Sequence, residues 1–60
     1  MRGSLLDASA HGFQARHDCP SLAAGQVVVF QHALAAGRAQ VVWTRIAGEQ
    51  VQSGFRYLAV

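Results

Sequence analysis

Six glycines divide this chain too finely for long helices. Gly3, Gly12, Gly25, Gly37, Gly48 and Gly54 recur about as often as turns do in a small all-β protein, and strand patterns fill the intervals. Gly12 to His17 alternates, with Phe13, Ala15 and His17 on one face and Gln14 and Arg16 on the other, which predicts a half-buried strand. Gln26 to His32 holds three valines and a phenylalanine; apolar on both faces, it reads as a central strand buried on both sides. Arg38 to Ile46 alternates again, placing Ala39, Val41 and Trp43 inward and leaving Val42 and Ile46 as apolar exceptions that could face a partner. Gln50 to Leu58 sets Val51, Ser53, Phe55 and Tyr57 on one face, and Ala47-Gly48-Glu49 joins it to the preceding strand as a hairpin. Trp43 is expected to pack near Phe55 or Val51 across that hairpin.

The connections carry their own signals. Pro20 removes a donor and Gly25 can close a turn, so Cys19 to Gly25 is a loop, with Leu22 expected to pin it to the core. Phe30 to Ala36 contains good helix formers, but seven residues without an N-terminal cap are too few for a helix that stands alone, so a strand end and a loop are predicted. Gly54 falls in mid-strand, where glycine marks a bulge or a close backbone approach. Residues 1–60 therefore predict a single all-β domain, a small antiparallel barrel or curled sheet.

Composition narrows the function classes. A chain of 60 residues buries only about 60% of the surface its unfolded state exposes, so a lone core is marginal. Cys19 is the only cysteine, so no intrachain disulfide can help, and a reducing, cytoplasmic setting is expected. An apolar fraction of 52% against 13% charged offers more apolar surface than one small core covers, which favours self-association. No apolar run approaches the roughly 18 residues of a membrane span, and Asp7 interrupts any signal-like start, so neither a membrane nor export is expected. The net charge is +2 and the five cationic residues are all arginine, scattered at Arg2, Arg16, Arg38, Arg45 and Arg56. A nucleic-acid groove wants a denser stripe, so no nucleic-acid partner is expected, although arginine suits planar recognition of phosphate or guanine.

Asp7-Ala8-Ser9-Ala10-His11-Gly12 fits the Asp-x-Ser-x-x-Gly motif of the PilZ domain family, preceded by Leu5-Leu6 and followed by Phe13. A Leu-x-x-Gly turn (Leu22 to Gly25), a valine strand, Ala-x-Val-Val-Trp (Ala39 to Trp43) and Ser-Gly-Phe-Arg-Tyr (Ser53 to Tyr57) follow in the family's order. The chain thus resembles a PilZ domain over essentially its whole length. The resemblance implies a six-stranded antiparallel barrel that binds cyclic di-GMP, a bacterial second messenger, and signals to an attached domain or partner. It implies ligand contacts from Asp7 to a guanine edge, from the Ser9 hydroxyl, and from backbone near Gly12. An acceptor-only carboxylate, a hydroxyl and a residue without a side chain suit those roles.

The chain departs from the family in one respect. The family's Arg-x-x-x-Arg motif lies upstream of the hexapeptide, and here only Arg2 precedes Asp7. The first strand or strands of the barrel are expected to be missing with it, the sheet being completed by homo-oligomerisation through edge pairing or strand exchange. Each charge-assisted hydrogen bond contributes about 1.5 to 3 kcal/mol, so losing two arginines predicts weak or lost cyclic di-GMP binding by this chain alone. The alternative is a degenerate PilZ-like module that works through protein interaction or oligomerisation without the nucleotide.

The same residues also have plain structural roles. Asp7 and Ser9 can bond to nearby backbone amides and shape a turn. His11, His17, His32 and Cys19 fit no paired-ligand spacing for a metal, and Trp43 and Tyr57 lie inward by alternation, as core rather than base-stacking residues. No nucleophile, base and acid set emerges, so neither an enzyme nor a bound cofactor is expected.

Overall fold

The computed structural model describes residues 3–33 and 35–58. They form five strands, β1 (Gly3–Ala8), β2 (Gly12–His17), β3 (Val27–Gln31), β4 (Ala36–Ala47) and β5 (Gln50–Tyr57), with no helix among the described residues. All pairings are antiparallel in one open sheet of order β1-β2-β5-β4-β3. The all-β expectation holds, and the open edges are β1 and β3. The sheet curls, so that Gly3 to Leu5 of β1, and Val28 to Gln31 of β3 with the following His32, line one cavity of about 120 Å³ over Phe13 and Phe55.

The concave face carries the core. Phe13, Leu22, Ala39, Val41 and Phe55 are buried together, with Ala15, Val28, Phe30 and Tyr57 packed against them. The Phe13 ring stacks on Phe55 at 4.6 Å and lies 4.9 Å from Phe30, within the range where aromatic pairs add to plain burial. The alternation read in Gly12 to His17 and Gln50 to Leu58 is thus realised, and Leu22 pins its loop as expected. Gly48 has φ +63 in the two-residue turn between Ala47 and Gln50, the left-handed backbone that a tight hairpin assigns to glycine.

Three features differ from the sequence reading. Gln26 to His32 is an edge strand rather than a central one: Val27 is 50% exposed and Val29 82%. Its valines satisfy β propensity without being buried on both faces, since propensity reports a fit to a pleated surface and not a place in the sheet order. Trp43 does not join Val41 and Phe55 in the core either. The ladder pairs Val41 with Phe55 and Trp43 with Gly54, so Val42 is an extra residue that turns Trp43 to the convex face. Past this bulge Thr44 takes the inward position opposite Ser53. A second register shift lies between Leu5 and Asp7, where Leu5 pairs with Ala15 but Asp7 pairs with Gln14, so Asp7 is outward and Ala8 inward. Gly3 to Ala8, to which the sequence reading assigned no element, is also a strand.

Candidate functional site

The convex face gathers the residues of interest into rows. Cross-strand partners share a face, so the pairings Asp7 with Gln14, Gln14 with Gly54 and Gly54 with Trp43 form one row across β1, β2, β5 and β4. About 7 Å along the strands on one side lies the row Arg16, Gln52 and Arg45. On the other side lies Gly12, Arg56 and Gln40. A groove of about 220 Å³ runs over the first row, lined by Asp7, Ser9, Gly12, Gln14, Val42 and Trp43 with the backbone region of Gly54 as its floor.

The hexapeptide forms one wall. Asp7 ends the outward row of β1, and its Oδ1 accepts from the Ala8 amide at 2.9 Å. Ser9 opens the turn into β2: its amide donates to the Gly12 carbonyl at 2.8 Å, and its Oγ accepts from the His11 amide at 3.3 Å. The turn-shaping role is therefore present, and both side chains remain exposed at the groove. A Cβ at Gly12 would run into the Phe55 carbonyl, so a larger residue would force β2 away from β5 at the groove's edge.

Trp43 is the opposite wall. It is held there because Gly54 has no side chain: a Cβ on Gly54 would collide with indole Nε1, Cε2 and Cδ1, so the ring lies directly on the strand, an aromatic covering a cross-strand glycine. The Arg45 guanidinium carbon sits 5.8 Å from the Trp43 ring centroid, a cation–π distance, while Arg45 Nη2 donates to Gln52 Oε1 at 3.1 Å. Arg56 Nη2 donates to Gln40 Oε1 at 2.7 Å. A carboxylate, an aromatic ring and three arginines that look scattered in sequence thus share one surface. Such a surface suits a ligand with a flat, donor-bearing ring and anionic groups.

All three residues singled out in the sequence, Asp7, Ser9 and Gly12, meet at this groove. Sequence reasoning missed Trp43, Gln14 and the flanking Arg16, Arg45 and Arg56. The one available signal was Gly54, whose mid-strand position indicated either a bulge or a close approach; the bulge is in the facing strand and the approach is by the indole. Tyr57 lies inward as expected, 5.5 Å from Phe13, with its hydroxyl 3.2 Å from His32 Nε2.

A second polar cluster lies under the sheet. His17 Nε2 is 2.7 Å from Ser53 Oγ, and Ser53 Oγ is 2.7 Å from Thr44 Oγ1. The Cys19 amide donates to His17 Nδ1 at 3.0 Å, which requires that nitrogen to be bare, so Nε2 carries the proton and donates to Ser53. A histidine in that tautomer cannot take the serine proton, and Ser53 is fully buried, so this serine–histidine pair is a structural tie. Burial lowers the His17 pKa below its ordinary value, partly opposed by the neighbouring Asp18 carboxylate. No group of three or more His, Cys, Asp or Glu among the described residues is placed to hold a metal ion. No helix among them is long and apolar enough to cross a membrane.

Comparison with protein-family models, with curated proteins and with solved structures found no match to this chain. The class defined by the structure itself is an all-β domain of five antiparallel strands in one curled, open sheet with a groove on its convex face.

Proposed function

We propose that this chain is a PilZ-type cyclic di-GMP-binding signalling module whose own residues bind the nucleotide weakly. The observation that carries the reading is the meeting of Asp7, Ser9 and Gly12 on one groove with Trp43, flanked by Arg16, Arg45 and Arg56. In this reading the Asp7 carboxylate accepts from the guanine N1 and N2 donors, the Trp43 ring stacks on the base, and the arginines attract the phosphates. The groove of about 220 Å³ is sized for one base, so the remainder of the dinucleotide lies over the arginine rows. The groove is open to water and its described lining residues include no arginine, so the affinity is low.

Calorimetric titration of the full chain with cyclic di-GMP tests this. Measurable heat that Asp7→Ala abolishes, with the circular dichroism spectrum unchanged, is the expected result. No heat at millimolar nucleotide, or heat indifferent to Asp7→Ala, overturns it. Asp7 and Ser9 also bond within their own turn, and this favours a second reading, a PilZ-like interaction or oligomerisation module without the nucleotide, which the absence of heat would select.

A further inference from the structure

We infer that β3 is a self-association edge, through which two copies of this chain join antiparallel about a two-fold axis at Val29 into one continuous sheet. The inference stands on the hydrogen-bonding parity of the strand. Val41 N–H donates to the Gln26 carbonyl at 2.8 Å, and His32 N–H donates to the Ala35 carbonyl at 2.9 Å. Residues of even number between these two therefore turn their backbone groups to β4, and Val27, Val29 and Gln31 turn theirs to the open edge. Arg38, the partner of Val29, agrees with this, since its carbonyl accepts from Leu58 at 3.0 Å on the far side of β4.

That outward set is its own complement. Antiparallel pairing centred on Val29 places Val29 against Val29 of the second copy, and Val27 against its Gln31. Three residues per strand, each with one N–H and one C=O, then give six hydrogen bonds with no register offset. Val29, at 82% exposed the most open large apolar side chain described, is covered by its own copy.

Three further observations choose a second copy over other occupants. From Cys19 to Gly37 the chain has no Asp, Glu, Lys or Arg, so the strand carries none of the charges by which edges are usually protected, and it meets no like charge in its copy. The other edge, β1, is protected: it holds Asp7 and is bulged at Leu6. Moreover β1 runs parallel to β3 in the order β1-β2-β5-β4-β3, so it cannot supply an antiparallel ladder to this edge within one molecule. The nearest cations, the two Arg38 side chains on β4 and its counterpart, would stand three strand spacings apart, about 14 Å, where salt screens them.

Sedimentation equilibrium of the full chain at about 1 to 100 µM, at physiological salt, is expected to show a monomer–dimer equilibrium, weakened about tenfold or more by Val29→Lys because like charges would oppose each other at the axis. A monomer throughout that range, or a dimer indifferent to Val29→Lys, overturns the inference. If Val29→Lys does not fold, disulfide cross-linking decides. In a Cys19→Ser background treated with oxidised glutathione, Val29→Cys is expected to cross-link to itself, since opposed residues of a hydrogen-bonded pair lie about 5.5 Å apart, within disulfide reach. Cross-linking through Ser4→Cys on β1 but not through Val29→Cys would overturn it. None of these results depends on the nucleotide groove.

Discussion

Gly54 shows how one missing side chain can place another. The indole of Trp43 occupies the volume that a Cβ on Gly54 would need, so Gly54→Ala should lift the ring from the sheet and cost about 1 to 3 kcal/mol, as overpacking does elsewhere. Urea denaturation followed by circular dichroism measures the loss, and a red-shifted Trp43 emission in the folded variant would show that the ring has moved into water. His17 makes a pH prediction at the same scale. Its pKa is lowered in the folded chain by burial, so below about pH 6.5 the unfolded chain takes up a proton that the folded one resists. The stability from neutral His17 is complete above that pH and is lost as pH falls toward the folded value. Thermal midpoints compared at pH 7.5 and 5.5 should fall on acidification, and the fall should shrink in His17→Gln. The inward positions of Phe13, His17, Ser53 and Phe55 were legible from alternation. The polar tie joining His17, Ser53 and Thr44 was not, because Thr44 reaches the inner face only through the bulge before it.

At the scale of elements, the β4–β5 hairpin was the most legible part of the chain because its turn chemistry and both flanking alternations agree. Gly48 stands at φ +63, and Gly48→Val, forcing a β-branched side chain into left-handed backbone, should cost about 1 to 3 kcal/mol without altering the ligand groove. Denaturant titration beside the calorimetric assay would separate the two effects. β3 was misplaced for a physical reason: an apolar run on both faces describes equally a central strand and an edge strand waiting for a partner. Only the sheet order, a long-range property, decides between them. The grouping of Arg16, Arg45 and Arg56 on one face is likewise set by register between β2, β5 and β4, which spacing along the chain does not encode.

For the whole molecule, the one curled sheet leaves a small core and large exposed apolar side chains at Val27, Val29, Val42 and Ile46, so its thermal midpoint should respond strongly to anything that binds the folded form. Cyclic di-GMP at ten times its dissociation constant should add about 1.4 kcal/mol and raise the thermal midpoint by several degrees. Raising salt from 0.05 to 0.5 M should weaken that binding, since the arginines attract phosphate through solvent. A thermal shift that is independent of salt would argue that Asp7 and Trp43 act without the arginines.

The two register shifts have a consequence for how this surface could be gained or lost. Leu6 and Val42 each act as an odd count in an otherwise even rhythm, and the residues they reorient, Asp7 and Trp43, are the two opposite walls of the groove. Both walls thus face outward because each strand breaks its alternation once, at a bulge, and not through side-chain identity alone. Removing either residue would let its strand pair without a bulge, leaving Asp7 opposite Gln14 and Trp43 opposite Gly54 on the convex face but taking away the local twist and bend that the bulge adds. Single-residue deletions at these two positions therefore test what the bulges contribute to the groove's shape with Asp7 and Trp43 still facing it, which alanine substitutions cannot do.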